Sequence, residues 1–292
     1  MSIKNIESIT SPGRPHFVGD GFRVHNFIPG ASRSGMERMN PFILLDYGAK
    51  HYFPPSDKPR GVGVHPHRGF ETVTVAYKGK VAHHDSSGGG GVIGEGDVQW
   101  MTAASGILHK EFHEENFSKK GGDLQMVQLW VNLPAKDKMS PPKYQAITKD
   151  QITRFDLPGA SGTVEIIAGE YKGLQGAATT FTPVSLFTLK LVSAGQADFS
   201  FPAGNNTALL VIEGKVVVND QAVVPADHFG LFLHDGETFT VRAEENSIVL
   251  ILSGEPINEP IAAHGPFVMN TDTEIRQAFD DFNNGLFGYL ED

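Results

Sequence analysis

Two short pairs in residues 61–113 constrain this chain more than anything else in it. The stretch opens Gly61-Val-Gly-Val-His65-Pro-His67-Arg-Gly-Phe-Glu71 and closes Gly106-Ile-Leu-His109-Lys-Glu111-Phe-His113. His65 and His67 are two apart, and so are His109 and Glu111. In an extended strand, residues i and i+2 point to one face. Each pair therefore aims two donor groups into one space, and neighbouring strands would bring three imidazoles and a carboxylate together. Such a nitrogen–oxygen set suits Fe, Ni, Cu, Zn or Mn better than Ca or Mg. Four protein ligands on a six-coordinate cation leave two sides open for substrate, water or O2. The same four would close a tetrahedral zinc.

The surrounding pattern is that of a strand-rich protein, and barrels suit such a site because inward positions alternate along every strand. Phe22–Ile28, Pro41–Tyr47, Glu71–Tyr77, Val81–Asp85, Val98–Met101, Gly106–Phe112 and Leu124–Leu133 read as strands, with Lys78-Gly-Lys80 as a turn. The 33 glycines and 18 prolines favour short strands and turns over long helices. His51–Arg60 reads as a loop at the rim of a pocket. Asp85-Ser-Ser-Gly-Gly-Gly-Gly91 reads as a flexible connection; no Gly-Lys-Ser/Thr follows it to make a phosphate cradle.

The second half repeats this grammar. Ala208–Gly214 matches Thr72–Gly79, with turn glycines 135 residues apart, and Val224–Asp227 with Phe229–Phe232 parallels Gly96–Met101. Ser200 and Pro202 then stand where His65 and His67 stand in the first half. The expectation is an all-β chain of two stacked antiparallel β-barrels. Residues 1–135 form a metal-bearing barrel, 136–165 a linker and crossover, and 166–270 a barrel without metal. A short helix over 271–285 follows, with Thr271-Asp-Thr-Glu274 as its capping box and Ile275, Ala278, Phe279 and Phe282 as its apolar stripe.

Charge and cysteine content narrow the function. With 24 basic and 34 acidic residues the formal charge is −10, which disfavours direct nucleic-acid binding. The absence of cysteine excludes disulfides, thiolate metal sites and thiol redox chemistry, and no nucleophilic triad is arguable. No apolar run is long enough to span a bilayer and no signal-peptide core is present, so a soluble, cytoplasmic protein is expected.

Other candidates sit near the donors. Strand parity from His65 and His67 carries Glu71 to the same face. Parity from His109 and Glu111 carries His113, whose plainer reading is a solvated strand end. Gln99 and Met101 share a face, and Phe53 is a possible pocket wall. Trp100 and Trp130 are expected in the core, Arg68 in an ion pair, and His83 and His84, being adjacent, as non-ligands.

The text of these stretches also carries a resemblance. Gly61-x3-His65-x-His67-x3-Glu71 and Gly96-Asp97 with Gly106-x2-His109 resemble the two cupin motifs. His65-Pro-His67-Arg-Gly-Phe-Glu71-Thr, Gln99-Trp-Met-Thr-Ala, Leu129-Trp-Val-Asn-Leu and His264-Gly-Pro-Phe-Val-Met-Asn270 are similar to the pirin family. The resemblance is dense in the first half and near 254–270, and thin between about 150 and 250. It implies a bicupin with metal ligands His65, His67, His109 and Glu111, whereas in cupins generally the carboxylate at Glu71 is often the ligand. It implies Fe(II) foremost, with Ni, Cu, Mn, Co or Zn as alternatives. For bacterial relatives it implies quercetin 2,3-dioxygenase activity on a small aromatic substrate and O2, with Glu111 also the general base. The alternative it implies is a non-catalytic iron protein that binds a protein partner according to metal state.

Overall fold

The computed structural model describes residues 2–30 and 35–291. They form two units, and each carries one seven-stranded and one four-stranded antiparallel sheet. The expectation of a two-cupin, all-β chain with one short C-terminal helix holds. No helix of the described residues is long and apolar enough to cross a membrane.

The unit that carries the histidine pairs comprises Arg14–Glu37, Pro41–Lys149 and Ile257–Asp292. Its larger sheet runs Lys143–Ile147, Val98–Thr102, Phe70–Lys78, Gly122–Asn132, Phe42–Phe53, Phe22–Ile28, His16–Val18. Phe70–Lys78 is an interior strand of this sheet, buried on both faces through Ala76, which explains its mostly β-branched and apolar text. The smaller sheet runs Gly61–His67, Ile107–His113, Val81–Asp85, Gly90–Ile93. Phe22, Val24, Leu124 and Met126 of the larger sheet form one core cluster with Val81 and Ile93 of the smaller. Each such side chain fully withdrawn from water contributes about 1.5–3 kcal/mol.

Two local expectations change, and one short helix adds to them. Val81–Asp85 does not return along Phe70–Lys78; it crosses to the smaller sheet and pairs with Ile107–His113. His51–Phe53 continues the long strand Phe42–Phe53, so the loop begins only at Pro54. A six-residue helix, Glu115–Lys120, precedes the strand Gly122–Asn132, and the Glu114 carboxylate caps it by accepting from the Asn116 and Phe117 amides.

The C-terminal helix, Asp272–Asn283, begins as its text indicates. Thr271 Oγ1 accepts from the Glu274 amide, and Glu274 Oε2 reaches back to the Asn270 amide rather than to Thr271's. Ile275, Ala278, Phe279 and Phe282 pack on Phe267 and Met269. Lys138, 1 % exposed, ties that region down: its ammonium donates to Gly69 O, Val268 O and Asn132 Oδ1.

The other unit comprises Met1–Gly13, Arg38–Asn40 and Asp150–Pro256. Its larger sheet runs Ile6–Thr10, Phe229–Phe232, Asn206–Glu213, Ser247–Gly254, Val184–Leu191, Gly162–Ala168, Thr153–Asp156. The repeated turn glycines adopt the same left-handed conformation, φ 83° at Gly79 and 81° at Gly214. Phe187, Phe199, Phe201, Phe232 and Phe239 fill this unit's core. The stretch expected as linker holds two edge strands, Lys143–Ile147 in the first unit's sheet and Thr153–Asp156 in the second's.

Candidate metal centre

The two donor-bearing strands are neighbours. Gly61–His67 and Ile107–His113 pair antiparallel, with His65 directly opposite His109. The imidazole centroids are 4.2 Å apart for His65–His109, 4.7 Å for His67–His109 and 4.9 Å for His65–His67. One ring nitrogen from each lies within 4.8 Å of the others. A register shift between His109 and Glu111 sets Glu111 opposite Val62. The Glu111 carboxylate accordingly groups within the same 4.8 Å limit with His109 and His83, not with His65 and His67. Glu111 nonetheless lines the same cavity as His65 and His67.

The hydrogen bonds fix which nitrogens are spare. His65 Nδ1 faces Gly63 O at 2.8 Å and His67 Nδ1 faces Pro266 O at 3.3 Å. A carbonyl can only accept, so both Nδ1 atoms carry the proton and both Nε2 atoms keep a lone pair. His109 Nε2 is buried and has no hydrogen-bond partner. An orphaned imidazole nitrogen in a fully buried ring is costly unless something binds it. Burial, and then the neighbouring imidazoles, push His67 and His109 well below the usual imidazole range. Neutral rings with free lone pairs are what a cation requires, so these residues fit a divalent transition metal.

The cavity beside them measures about 380 Å³. Phe22, Val24, Leu44, Met126 and Trp130 give it an apolar wall, and Asp46 and Gln128 bring polar groups. Asp46 Oδ1 accepts from Asn26 at 2.8 Å, and Gln128 Oε1 accepts from Thr74 at 2.6 Å. Burial raises the Asp46 pKa against the opposing Asn26 hydrogen bond. Two wider cavities of about 720 Å³ lie elsewhere, one against Lys78 and Lys120, the other against Phe199 and Phe239, and no histidine lines either.

The remaining candidates fall in varied places. Gln99 is wholly buried beside the donors: its amide lies 3.5 Å from Glu111 Oε1 and 3.0 Å from His83 Nδ1. Glu71 faces away from the cavity. Gly69, at φ 90°, makes a corner where an added Cβ would lie 1.9 Å from Val268 O, and that corner resets the alternation. Glu71 instead accepts from Thr102 Oγ1 at 2.7 Å, and burial lifts its carboxyl to about 7. Met101 packs with Ala103, Ile107 and Tyr144 rather than lining the cavity. His113 is not a solvated strand end but 1 % exposed, bonded to Gly21 O and packed at 4.7 Å on Phe53. Phe53 supports that ring and is not a cavity wall. Trp130 is the reverse case, a wall and not only a core anchor. Arg68 pairs with Asp281 at 2.7 Å as expected.

His83, expected only as a non-ligand, stands directly behind the donors. It is wholly buried, stacked on Tyr144, with Nδ1 3.4 Å from His109 Nδ1 and Nε2 3.3 Å from Asp85 Oδ2. The spacing His83-x-Asp85 repeats the i, i+2 signal of the other pairs, and the adjacent His84 masked it.

Comparison with known proteins supplies the family. A family model described as Pirin matches residues 21–131, and one described as Pirin C-terminal cupin domain matches 186–288. Human pirin is 35 % identical over 94 % of this chain and 91 % of its own. A Pseudomonas aeruginosa protein provisionally named a quercetin 2,3-dioxygenase is 46 % identical over 98 % of this chain and 99 % of its own. A crystal structure of quercetin 2,3-dioxygenase from Acinetobacter baumannii superposes with a TM-score of 0.93 at 47 % identity, covering 99 % of this chain and 100 % of that one.

Proposed function

This chain belongs to the pirin family, and on that premise we propose that it is a metal-dependent dioxygenase that opens flavonols such as quercetin. The observation that carries the proposal is that His65, His67 and Glu111 share one cavity of about 380 Å³ whose wall is largely apolar. A site of that kind admits a planar aromatic beside the donor groups. The likeness to proteins named for quercetin 2,3-dioxygenase supports the same substrate class.

His65, His67 and His109 are the proposed holders of the cation through their unprotonated Nε2 atoms, with Glu111 beside them. Fe(II) is the proposed metal. When bound, such a cation acidifies a coordinated hydroxyl and offers vacant sides for oxygen chemistry. Glu111 acts as the general base that takes the proton from the flavonol 3-hydroxyl, with the Gln99 amide beside its Oε1 keeping it oriented. Phe22, Met126 and Trp130 exclude water from the reacting ring. In the balanced reaction both atoms of O2 enter the opened product and one carbon leaves as carbon monoxide.

The test is O2 consumption and carbon monoxide release with quercetin by the metal-loaded protein. Turnover that disappears in a folded His67→Ala variant is the expected result. Metal-loaded protein inert toward a panel of flavonols would overturn the assignment.

A further inference from the structure

We infer that Asp85 and His83 form a relay behind His109 that sets which nitrogen of His109 is free for a cation, and that the Gly-rich loop after Asp85 exists to hold that relay. The inference rests on His109 being a metal ligand only for its consequence in binding; the relay itself is a property of the metal-free chain.

The loop Asp85–Gly89 is a carboxylate cradle. Asp85 Oδ1 accepts from the Ser87 amide at 2.9 Å, Ser87 Oγ at 2.7 Å and the Gly89 amide at 2.9 Å. Three donors fix that oxygen as an acceptor and leave Oδ2 to face His83. Gly89 has no room for a side chain, since a Cβ there would lie 2.4 Å from Asp85 Oδ2 and 2.7 Å from the Tyr144 side chain.

The protons then follow one by one. Asp85 Oδ2 lies 3.3 Å from His83 Nε2, so that nitrogen carries the proton. The group facing His83 Nδ1, 3.0 Å away, is the Gln99 amide nitrogen, a donor that also reaches Glu111 Oε1, so Nδ1 accepts and keeps its lone pair. His109 Nδ1 faces the same atom at 3.4 Å. Two lone pairs at that distance repel, so His109 must carry its proton on Nδ1. Its Nε2 is then left with a lone pair, and that is the buried nitrogen with no partner. His83 and Asp85 are positioning residues: neither needs to touch metal or substrate. Partners of this kind behind a ligating histidine are typically worth 10–100-fold in metal affinity.

An isosteric change makes the relay run backwards. In Asp85→Asn the cradle keeps Oδ1, so the amide nitrogen faces His83 Nε2. His83 must then place its proton on Nδ1, and His109 must place its own on Nε2, the nitrogen meant for the cation. The readout is the tautomer of His109 in metal-free protein by long-range 1H–15N NMR, with peaks assigned through their loss in His109→Gln. Metal affinity by calorimetric titration is measured alongside.

The expected result is an Nδ1-protonated His109 in the wild type, an Nε2-protonated one in Asp85→Asn, and metal binding weakened about 10- to 100-fold. A wild-type His109 protonated on Nε2 overturns the inference. So does an Asp85→Asn protein with unchanged tautomer, or one with inverted tautomer that binds metal as tightly as a binding-competent wild type. If Asp85→Asn does not fold, the wild-type spectrum alone decides. Wild-type protein with the expected tautomer but no metal affinity would leave the relay standing and overturn the metal reading instead.

Discussion

The rings of Trp130 and His67 meet at 68° with centroids 5.2 Å apart, and the indole is also stacked on Phe70 at 4.2 Å and 27°. One side chain thus serves as cavity wall and as a brace for a donor imidazole. Trp130→Ala is expected to weaken flavonol binding about tenfold or more and to cost about 3–5 kcal/mol of stability, whereas Trp130→Phe keeps most of both. Steady-state kinetics together with chemical denaturation separates the two effects. Unchanged KM in a folded Trp130→Ala protein would remove the indole from the substrate wall.

Asp46 and Gln128 are register partners on adjacent strands and stand out in a wall that is otherwise mostly apolar. A hydroxylated ring would be read there by hydrogen bonds. Asp46→Asn is expected to raise KM for a polyhydroxylated flavonol about tenfold, on the scale of one hydrogen bond to a charged group, while a flavonol lacking those hydroxyls changes little. Equal effects on both substrates would mean that Asp46 only braces Asn26.

Glu71 gives a pH dependence of defined sign. Its carboxyl is raised from 4.5 to about 7 by burial, so between those values the folded chain holds a proton that the unfolded chain has lost. Stability therefore falls as pH rises from about 4.5 to 7, by on the order of 3 kcal/mol. Glu71→Gln copies the protonated acid and can still accept from Thr102. It is expected to remove that slope and to be more stable than wild type above neutral pH in denaturant titrations. A slope unchanged by Glu71→Gln would show that other groups carry it.

Much of the centre was legible because strand alternation has a period of two. His65, His67 and His109 converge as that rule requires, and the capped C-terminal helix and the repeated turn glycines follow from local text. What the sequence could not show depends on tertiary detail. Parity fails at Gly69, where a left-handed corner turns Glu71 away, and a register shift after His109 draws Glu111 toward His83. Val81–Asp85 follows a turn that looks like a hairpin yet joins the other sheet, which is what brings His83 behind His109. The helix Glu115–Lys120 leaves little mark in the text because it is short and capped by glutamate. Apolar text alone does not separate a cavity wall such as Trp130 from a core residue such as Trp100.

Anaerobic calorimetric titration of the metal-stripped protein with Fe(II) tests most directly whether the three imidazoles hold a cation. One equivalent should bind, raising the unfolding temperature, and His65→Ala, His67→Ala and His109→Ala should each remove most of that affinity and of the thermal shift. Wild-type protein that takes up no metal, or variants that bind one equivalent as tightly as wild type, would contradict it.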